Sequence, residues 1–135
     1  MNEQQYRVTK HVINMDFDEA YEIVRSLSEE ELEELMLDIG FKTMNLTVYS
    51  FMNYVLQREE TSSIHSLISL LMAHPLCHME GAYTISLYHA RKAIELSPQD
   101  VSYYEDILFF EGNPHVYLSK EEITATHNRI KELHK

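Results

Sequence analysis

Residues 67 to 100, LISLLMAHPLCHMEGAYTISLYHARKAIELSPQD, decide the fold that we expect for this chain. The stretch contains two segments with apolar residues at helical spacing. Pro75 and Gly81 separate them, as is typical of the end of one helix and the start of the next. Small residues at Ala90 and Ala93 would let the two helices approach closely. The sequence therefore predicts a helical hairpin joined by a tight turn.

The composition of the whole chain agrees with a helical fold. Its 135 residues, 44% of them hydrophobic, suffice for one core, so we predict a single helical domain over residues 1 to 135. Three glycines and three prolines leave little material for the many turns of a sandwich or barrel. No signal peptide or long apolar run is present, and Cys77 is the sole cysteine, so we expect a cytoplasmic protein without a membrane span.

Seven segments carry the apolar periodicity of helices, and together they predict an all-α fold. Gly40 is expected to end the second helix, and Ser97 with Pro98 is expected to begin the sixth. Residues 64 to 73 are almost continuously apolar and predict a central buried helix. The segments are 16 to 27, 28 to 41, 43 to 60, 64 to 73, 81 to 96, 97 to 110 and 119 to 135.

Two of these helices begin with the residues of a capping box. Ser28 is followed three positions later by Glu31, and Ser119 is followed in the same way by Glu122. In such a box the serine side chain and the glutamate side chain each bind the backbone N–H group of the other residue. Both pairs therefore predict a helix start.

The hairpin of residues 67 to 100 resembles one tetratricopeptide unit. Leu70 and Ala73 take the small and apolar positions of its first helix, and Pro98 takes the position that ends the second. The chain departs from the pattern at His74, where the unit usually has its turn glycine. The resemblance implies an irregular stack of helical hairpins, and it supports an alternative function as an adaptor that binds a peptide or protein partner.

A longer part of the chain, about residues 65 to 125, resembles another group of proteins. The stretches PLCHMEGAY, LYHARKAIELSPQD and YYEDILFFEGNPHVYLSKEE are similar to those of small helical bacterial immunity proteins that accompany polymorphic or contact-dependent growth-inhibition toxins. This resemblance implies a protein without catalytic activity that neutralises a cognate toxin domain, often a nuclease. It would do so by covering the active site or the path of the substrate.

The charge of the chain bears on the class of partner. The formal net charge is -11, and 13 of the 22 acidic side chains lie within residues 1 to 60. Nucleic acids are polyanions and are normally bound by surfaces rich in lysine and arginine, so we expect no direct binding of nucleic acid. A basic protein is the electrostatic complement of such a chain, and we expect the cognate toxin to be basic.

Two groups of residues are candidates for contact with that partner. Consecutive glutamates on a helix usually form its solvated face, and tyrosines near Phe109 and Phe110 could belong to the core, so both alternatives remain open. As binding residues, the acids would steer a cationic partner and the tyrosines would anchor it. The candidates are Glu29, Glu30, Glu33, Glu34 and Asp38, and Tyr103, Tyr104 and Glu105.

His74, Cys77 and His78 could together hold a metal ion, with Glu80 or His89 as a further ligand. They could also form a cysteine nucleophile with its base, although no oxyanion-binding element accompanies them. The interpretation we favour is structural: Cys77 is a small buried residue, and the histidines bind backbone groups left open between two helices. We therefore predict no enzyme activity, no catalytic or metal site and no cofactor.

Overall fold

The computed structural model describes residues 2 to 135, and it is all-helical, as predicted, with no strand in this part of the chain. Eight helices follow one another where seven were expected, because a helix precedes residue 16. The helices are α1 (Glu3–Ile13), α2 (Phe17–Val24), α3 (Glu29–Thr43), α4 (Thr47–Arg58), α5 (Ser62–Ala73), α6 (Ala82–Leu96), α7 (Val101–Leu108) and α8 (Lys120–Leu133).

The additional helix, α1, begins with a capping box that the sequence prediction missed. The Asn2 side chain accepts a hydrogen bond from the Gln5 backbone N–H at 2.8 Å, and the Gln5 side chain accepts one from the Asn2 backbone N–H at 3.0 Å. Val8 and Val12, one turn apart, are fully buried. The box and this pair of apolar residues are the signals that could have identified the helix.

The end of α3 differs from the prediction, since the helix continues past Gly40 to Thr43. It ends instead at Met44, which has a positive φ of 50°. Gly40 serves close packing within the helix: a Cβ atom at this position would lie 3.0 Å from the Pro75 side chain and 3.2 Å from that of Leu71. The missing side chain therefore lets α3 approach the end of α5.

Helix α7 begins later than predicted, at Val101, and its N-cap is Asp100 in place of Ser97. The Asp100 carboxylate accepts a hydrogen bond from the Ser102 backbone N–H at 3.0 Å. The Ser97 hydroxyl is hydrogen-bonded to the hydroxyl of Ser62 at the start of α5. Ser97 thus makes a tertiary contact and leaves the cap to the aspartate.

The caps predicted for α3 and α8 are present in different degrees. Ser28 and Glu31 form the complete capping box. The Ser119 hydroxyl accepts from the Glu122 backbone N–H at 3.0 Å, but the Glu122 carboxylate binds the Arg91 guanidinium, with N···O distances of 3.0 and 2.7 Å. The carboxylate therefore ties α8 to α6.

Helix α5 is the centre of the larger hydrophobic core, as its sequence predicted. Nine of its twelve residues are buried, and it packs against α3, α4 and α6. A smaller apolar cluster joins α6 to α7 and to the segment before α8, and it consists of Leu87, Ala90, Ile107, Phe110 and Leu118. Helix α6 also contributes Ala82 to the larger core, so it belongs to both clusters.

The predicted hairpin is formed by α5 and α6. The Ser86 hydroxyl donates a hydrogen bond to the Ser69 backbone carbonyl at 2.7 Å, which brings the two helices close together. The connection between them runs from His74 to Gly81 and is longer than the tight turn expected. No helix within residues 2 to 135 has the length and apolar character needed to cross a membrane.

The close approach at Gly40 yields a prediction about stability. We expect Gly40→Val to lower the free energy of unfolding by about 1 to 3 kcal/mol, because the added methyl groups would press on Pro75 and Leu71. Urea titration followed by circular dichroism measures the change.

The control is Glu34→Val, at an exposed position of the same helix. Helix propensity alone would make valine slightly better than glycine, so an unchanged or increased stability for Gly40→Val would contradict the close packing. The control should stay within about 0.5 kcal/mol of the parent.

Candidate functional site

Part of the predicted acidic group and part of the predicted tyrosine group lie together on one surface. Burial raises the pKa of Tyr103 on α7, and the charges of Asp100, Glu29, Asp106 and Glu33 raise it further. The glutamates belong to α3, so the two helices expose their acids to the same region. We call these five residues the α3–α7 acidic surface.

The carboxylates of this surface lack ion-pair partners in the part of the chain that the structure describes. Burial raises the pKa of Asp106, and the negative charges of Glu105, Asp100 and Glu33 add to that rise. Within residues 2 to 135, none of the four carboxylates of the surface takes part in an ion pair. Their mutual repulsion is uncompensated, so a bound cation would be stabilised there.

Local sequence explains how each acid reaches this surface. The Ser28 cap places Glu29 in the first turn of α3, and Glu33 follows four residues later on the same side of the helix. On α7, Asp100 is the N-cap, and Tyr103 and Asp106 follow at intervals of three residues. The spacing on both helices is therefore the ordinary spacing of one helical face.

An apolar groove lies beside the acidic surface, between α5 and α7, with a volume of about 190 Å³. Phe109 is 50% exposed at this groove, although its sequence context suggested that it could belong to the core. Its ring centre lies 5.7 Å from that of His74. The residues that line the groove are Ser66, Ser69, Leu70, Ala73, His74, Ser86, Asp106, Phe109 and Phe110.

Other predicted acids lie apart from this surface or have their own partners. Glu34 lines a separate depression together with Gln5 of α1. The Asp38 carboxylate is paired with the Lys42 ammonium group at 3.0 Å. Glu30 is exposed and is not among the charges that act on Tyr103 or Asp106. The five candidate acids of α3 therefore differ in their surroundings, and only Glu29 and Glu33 belong to the α3–α7 acidic surface.

The two adjacent tyrosines face different sides of α7. The Tyr104 hydroxyl donates to the Pro98 backbone carbonyl at 2.9 Å, and the Arg129 guanidinium of α8 lies 6.0 Å from the ring centre. Tyr104 lines a groove between α6, α7 and α8. Glu105 is exposed between the two sides, and its charge acts on Asp106. Only Tyr103 of the pair therefore belongs to the acidic surface.

The residues His74, Cys77 and His78 do not converge on one point. Cys77 and His78 line a depression of about 460 Å³ that also includes His115, whereas His74 lies at the groove beside Phe109. Within residues 2 to 135 no group of three or more His, Cys, Asp or Glu side chains is placed to hold a metal ion.

The structural interpretation of this cluster also needs correction. His74 and His78 are exposed, and neither side chain makes the backbone hydrogen bond that was expected of it in this part of the chain. Cys77 is only partly buried, and the nearby thiol raises the pKa of the Tyr83 hydroxyl. The contact with Phe109 is the structural role that remains for His74.

A pair of histidines that the sequence did not single out as a pair is buried between α5 and α6. His65 and His89 are 2% and 3% exposed, and their Nδ1 atoms are 2.8 Å apart. His65 Nε2 lies 2.7 Å from the Glu60 carboxylate. Because the carboxylate can only accept, His65 donates through Nε2, and one of the two Nδ1 atoms donates to the other.

Burial lowers the pKa of His89 to about 4, and the neighbouring His65 contributes to the shift. Both rings are almost completely buried, and their contact fastens α5 to α6. Its sequence signal is weak, since a polar residue in an apolar segment looks the same whether its partner is near or absent.

No family model, curated protein or solved structure matches this chain. The structure itself defines an all-helical chain with an acidic, aromatic surface.

The buried histidine pair predicts how stability depends on pH. The pKa of His89 is lower in the folded chain than its ordinary value of 6.5 in the unfolded chain. The contribution of His89 to the free energy of unfolding is therefore fully present above pH 6.5. That contribution is lost as pH falls from 6.5 towards 4, and it amounts to roughly 3 kcal/mol. Urea titrations at half-unit pH steps measure it.

The comparison variants are His89→Gln and His78→Gln. The first should flatten the dependence between pH 4 and 6.5, because the buried titrating group is gone. The second changes an exposed histidine and should keep the slope of the parent. Equal slopes in all three proteins would show that His89 does not titrate in this way.

Proposed function

We propose that this chain is an immunity protein that binds a basic bacterial toxin domain, for example a nuclease, and has no catalytic activity of its own. The observation that carries the proposal is the α3–α7 acidic surface, in which four carboxylates without an ion pair in residues 2 to 135 act on the partly buried Tyr103. Toxin activity is blocked because the bound chain covers the active site or the path of the substrate.

The charges and the aromatic residue have different parts in this binding. Acidic side chains on one side raise the rate at which a cationic partner arrives, and they exclude partners of negative charge. Tyr103 offers apolar area and a hydroxyl group with few rotatable bonds, which suits an anchor at the centre of an interface. The surrounding carboxylates then accept charge-assisted hydrogen bonds from lysine or arginine.

A tetratricopeptide-like adaptor is the second candidate, and the groove between α5 and α7 favours it. These are the first helices of two successive hairpins, α5 with α6 and α7 with α8. In such stacks the first helices line the surface that receives a peptide. An adaptor would bind a short segment of a partner, whereas an immunity protein needs the folded toxin domain.

Growth of bacteria tests the immunity function directly. The C-terminal domain of the large protein encoded next to this chain is expressed in a heterologous host, alone and together with this chain. We expect the domain to stop growth and the chain to restore it. The proposal would be contradicted if the expressed domain does not stop growth, or if it stops growth and this chain does not restore it. Binding of a short peptide by the chain would favour the adaptor function.

Charge reversal tests the surface. In Glu29→Lys/Glu33→Lys, association with the purified toxin domain should slow by about tenfold or more at low salt and lose most of its salt dependence. Stopped-flow fluorescence measures the rate. The control is Glu30→Lys/Glu34→Lys, which makes the same change of net charge on the same helix.

The control should slow association less, because Glu30 and Glu34 lie outside the α3–α7 acidic surface. Dissociation should become faster in the first variant only, since only its residues would contact the partner. Equal rates for the two variants would place the interface elsewhere on the chain.

A further inference from the structure

We propose that the groove between α5 and α7 binds a single arginine side chain of the protein partner, with its guanidinium group on the Asp106 carboxylate and against the Phe109 ring, and with its apolar stem along Leu70 and Ala73. This inference deepens the proposed function and rests on it, because the groove opens beside the acidic surface that is argued to contact the partner. It names the chemical group that the surface recognises.

The size of the groove fits one side chain. Its volume is about 190 Å³, whereas pockets for cofactors and other small molecules measure roughly 300 to 1,000 Å³. Among the residues of α5 that line the groove, Leu70 and Ala73 are apolar. An apolar lining of this kind accepts the methylene groups of a long side chain and excludes a fully hydrated ion.

One wall of the groove presents an aromatic ring that is held in place. The Phe109 ring contacts Phe110 edge to face, with ring centres 5.2 Å apart, and its other neighbour is His74. Half of Phe109 nevertheless remains exposed. A planar guanidinium group can stack on such a ring, and that contact gains strength when water is excluded.

The charge at the groove selects a cation. Asp106 lines the groove, and Glu33, Asp100 and Glu105 all add negative charge at its carboxylate. No cation of residues 2 to 135 pairs with Asp106, so its carboxylate is available to a cation of the partner. The occupant therefore needs a positive head on an apolar stem.

Arginine meets these requirements better than lysine. Its guanidinium group is less strongly hydrated than an ammonium group, it stacks on aromatic rings, and it binds a carboxylate through two parallel hydrogen bonds. Lysine presents a compact, strongly hydrated charge that would lose more of its hydration in an apolar groove. Arginine is also among the residues most enriched at the centres of protein interfaces.

Nuclear magnetic resonance of the full chain tests this assignment without the toxin. The chain labelled with ¹⁵N is titrated with N-acetyl-arginine methylamide, with the lysine analogue, and with the uncharged N-acetyl-citrulline methylamide. We expect saturable shifts at the amides of Leu70, His74, Asp106 and Phe109 for arginine. Binding should be weaker for lysine and lost for citrulline.

Two matched variants give the residue-level test. Asp106→Asn should weaken arginine binding by about tenfold or more, because it removes the charged acceptor. Glu105→Gln removes the same charge from the neighbouring residue, which does not line the groove, and should weaken binding less than about threefold. Thermal melting shows that both variants are folded; Asp106→Asn should be at least as stable as the parent, because it removes a repelled charge.

Each other outcome overturns the assignment. The groove is not an arginine site if the chemical shifts do not saturate with the arginine analogue, or if the citrulline analogue binds equally well. Equal effects of Asp106→Asn and Glu105→Gln would lead to the same conclusion. If such a result coincides with loss of growth protection in Glu29→Lys/Glu33→Lys, only the groove assignment fails. If arginine binds but growth protection is absent, the immunity function fails instead.

Discussion

The burial of α5 is the constraint on which the rest of the structure depends. Its apolar residues are shielded from water because α3, α4 and α6 pack around it. Two polar interactions fix the alignment of α6 on α5. Ser86 binds the Ser69 carbonyl, and His89 binds His65. Buried polar groups without these partners would cost free energy, so the contacts specify one alignment of the two helices.

The same framework positions the acidic surface and its groove. Helix α3 packs on α5 where Gly40 leaves room, and α7 packs on α6 through Ile107 and Phe110. Glu33 and Asp106, on helices distant in sequence, therefore come close enough for their charges to interact. Such repulsion lowers the stability of the free chain, and a cationic partner would relieve it.

Local signals predicted much of the helical structure, and they failed where a tertiary contact competed. The box of Ser28 and Glu31 formed as predicted because both partners lie within one turn. Glu122 was predicted to bind its own helix start and binds Arg91 instead. Gly40 was predicted to end a helix and sits within one, where the absence of a side chain leaves room for Pro75. Nothing in the neighbouring residues reveals such distant partners.

For the candidate site, too, the sequence determined some features and the tertiary structure determined others. Sequence by itself determined the helical class, the buried character of α5, the net charge, and the presence of acids and tyrosines on α3 and α7. The tertiary structure decided that Glu29 and Glu33 approach Tyr103, that Tyr104 faces α8, and that Phe109 stays half exposed at a groove. Apolar periodicity shows which face of a helix is buried, but the packing of neighbouring helices selects which exposed side chains meet.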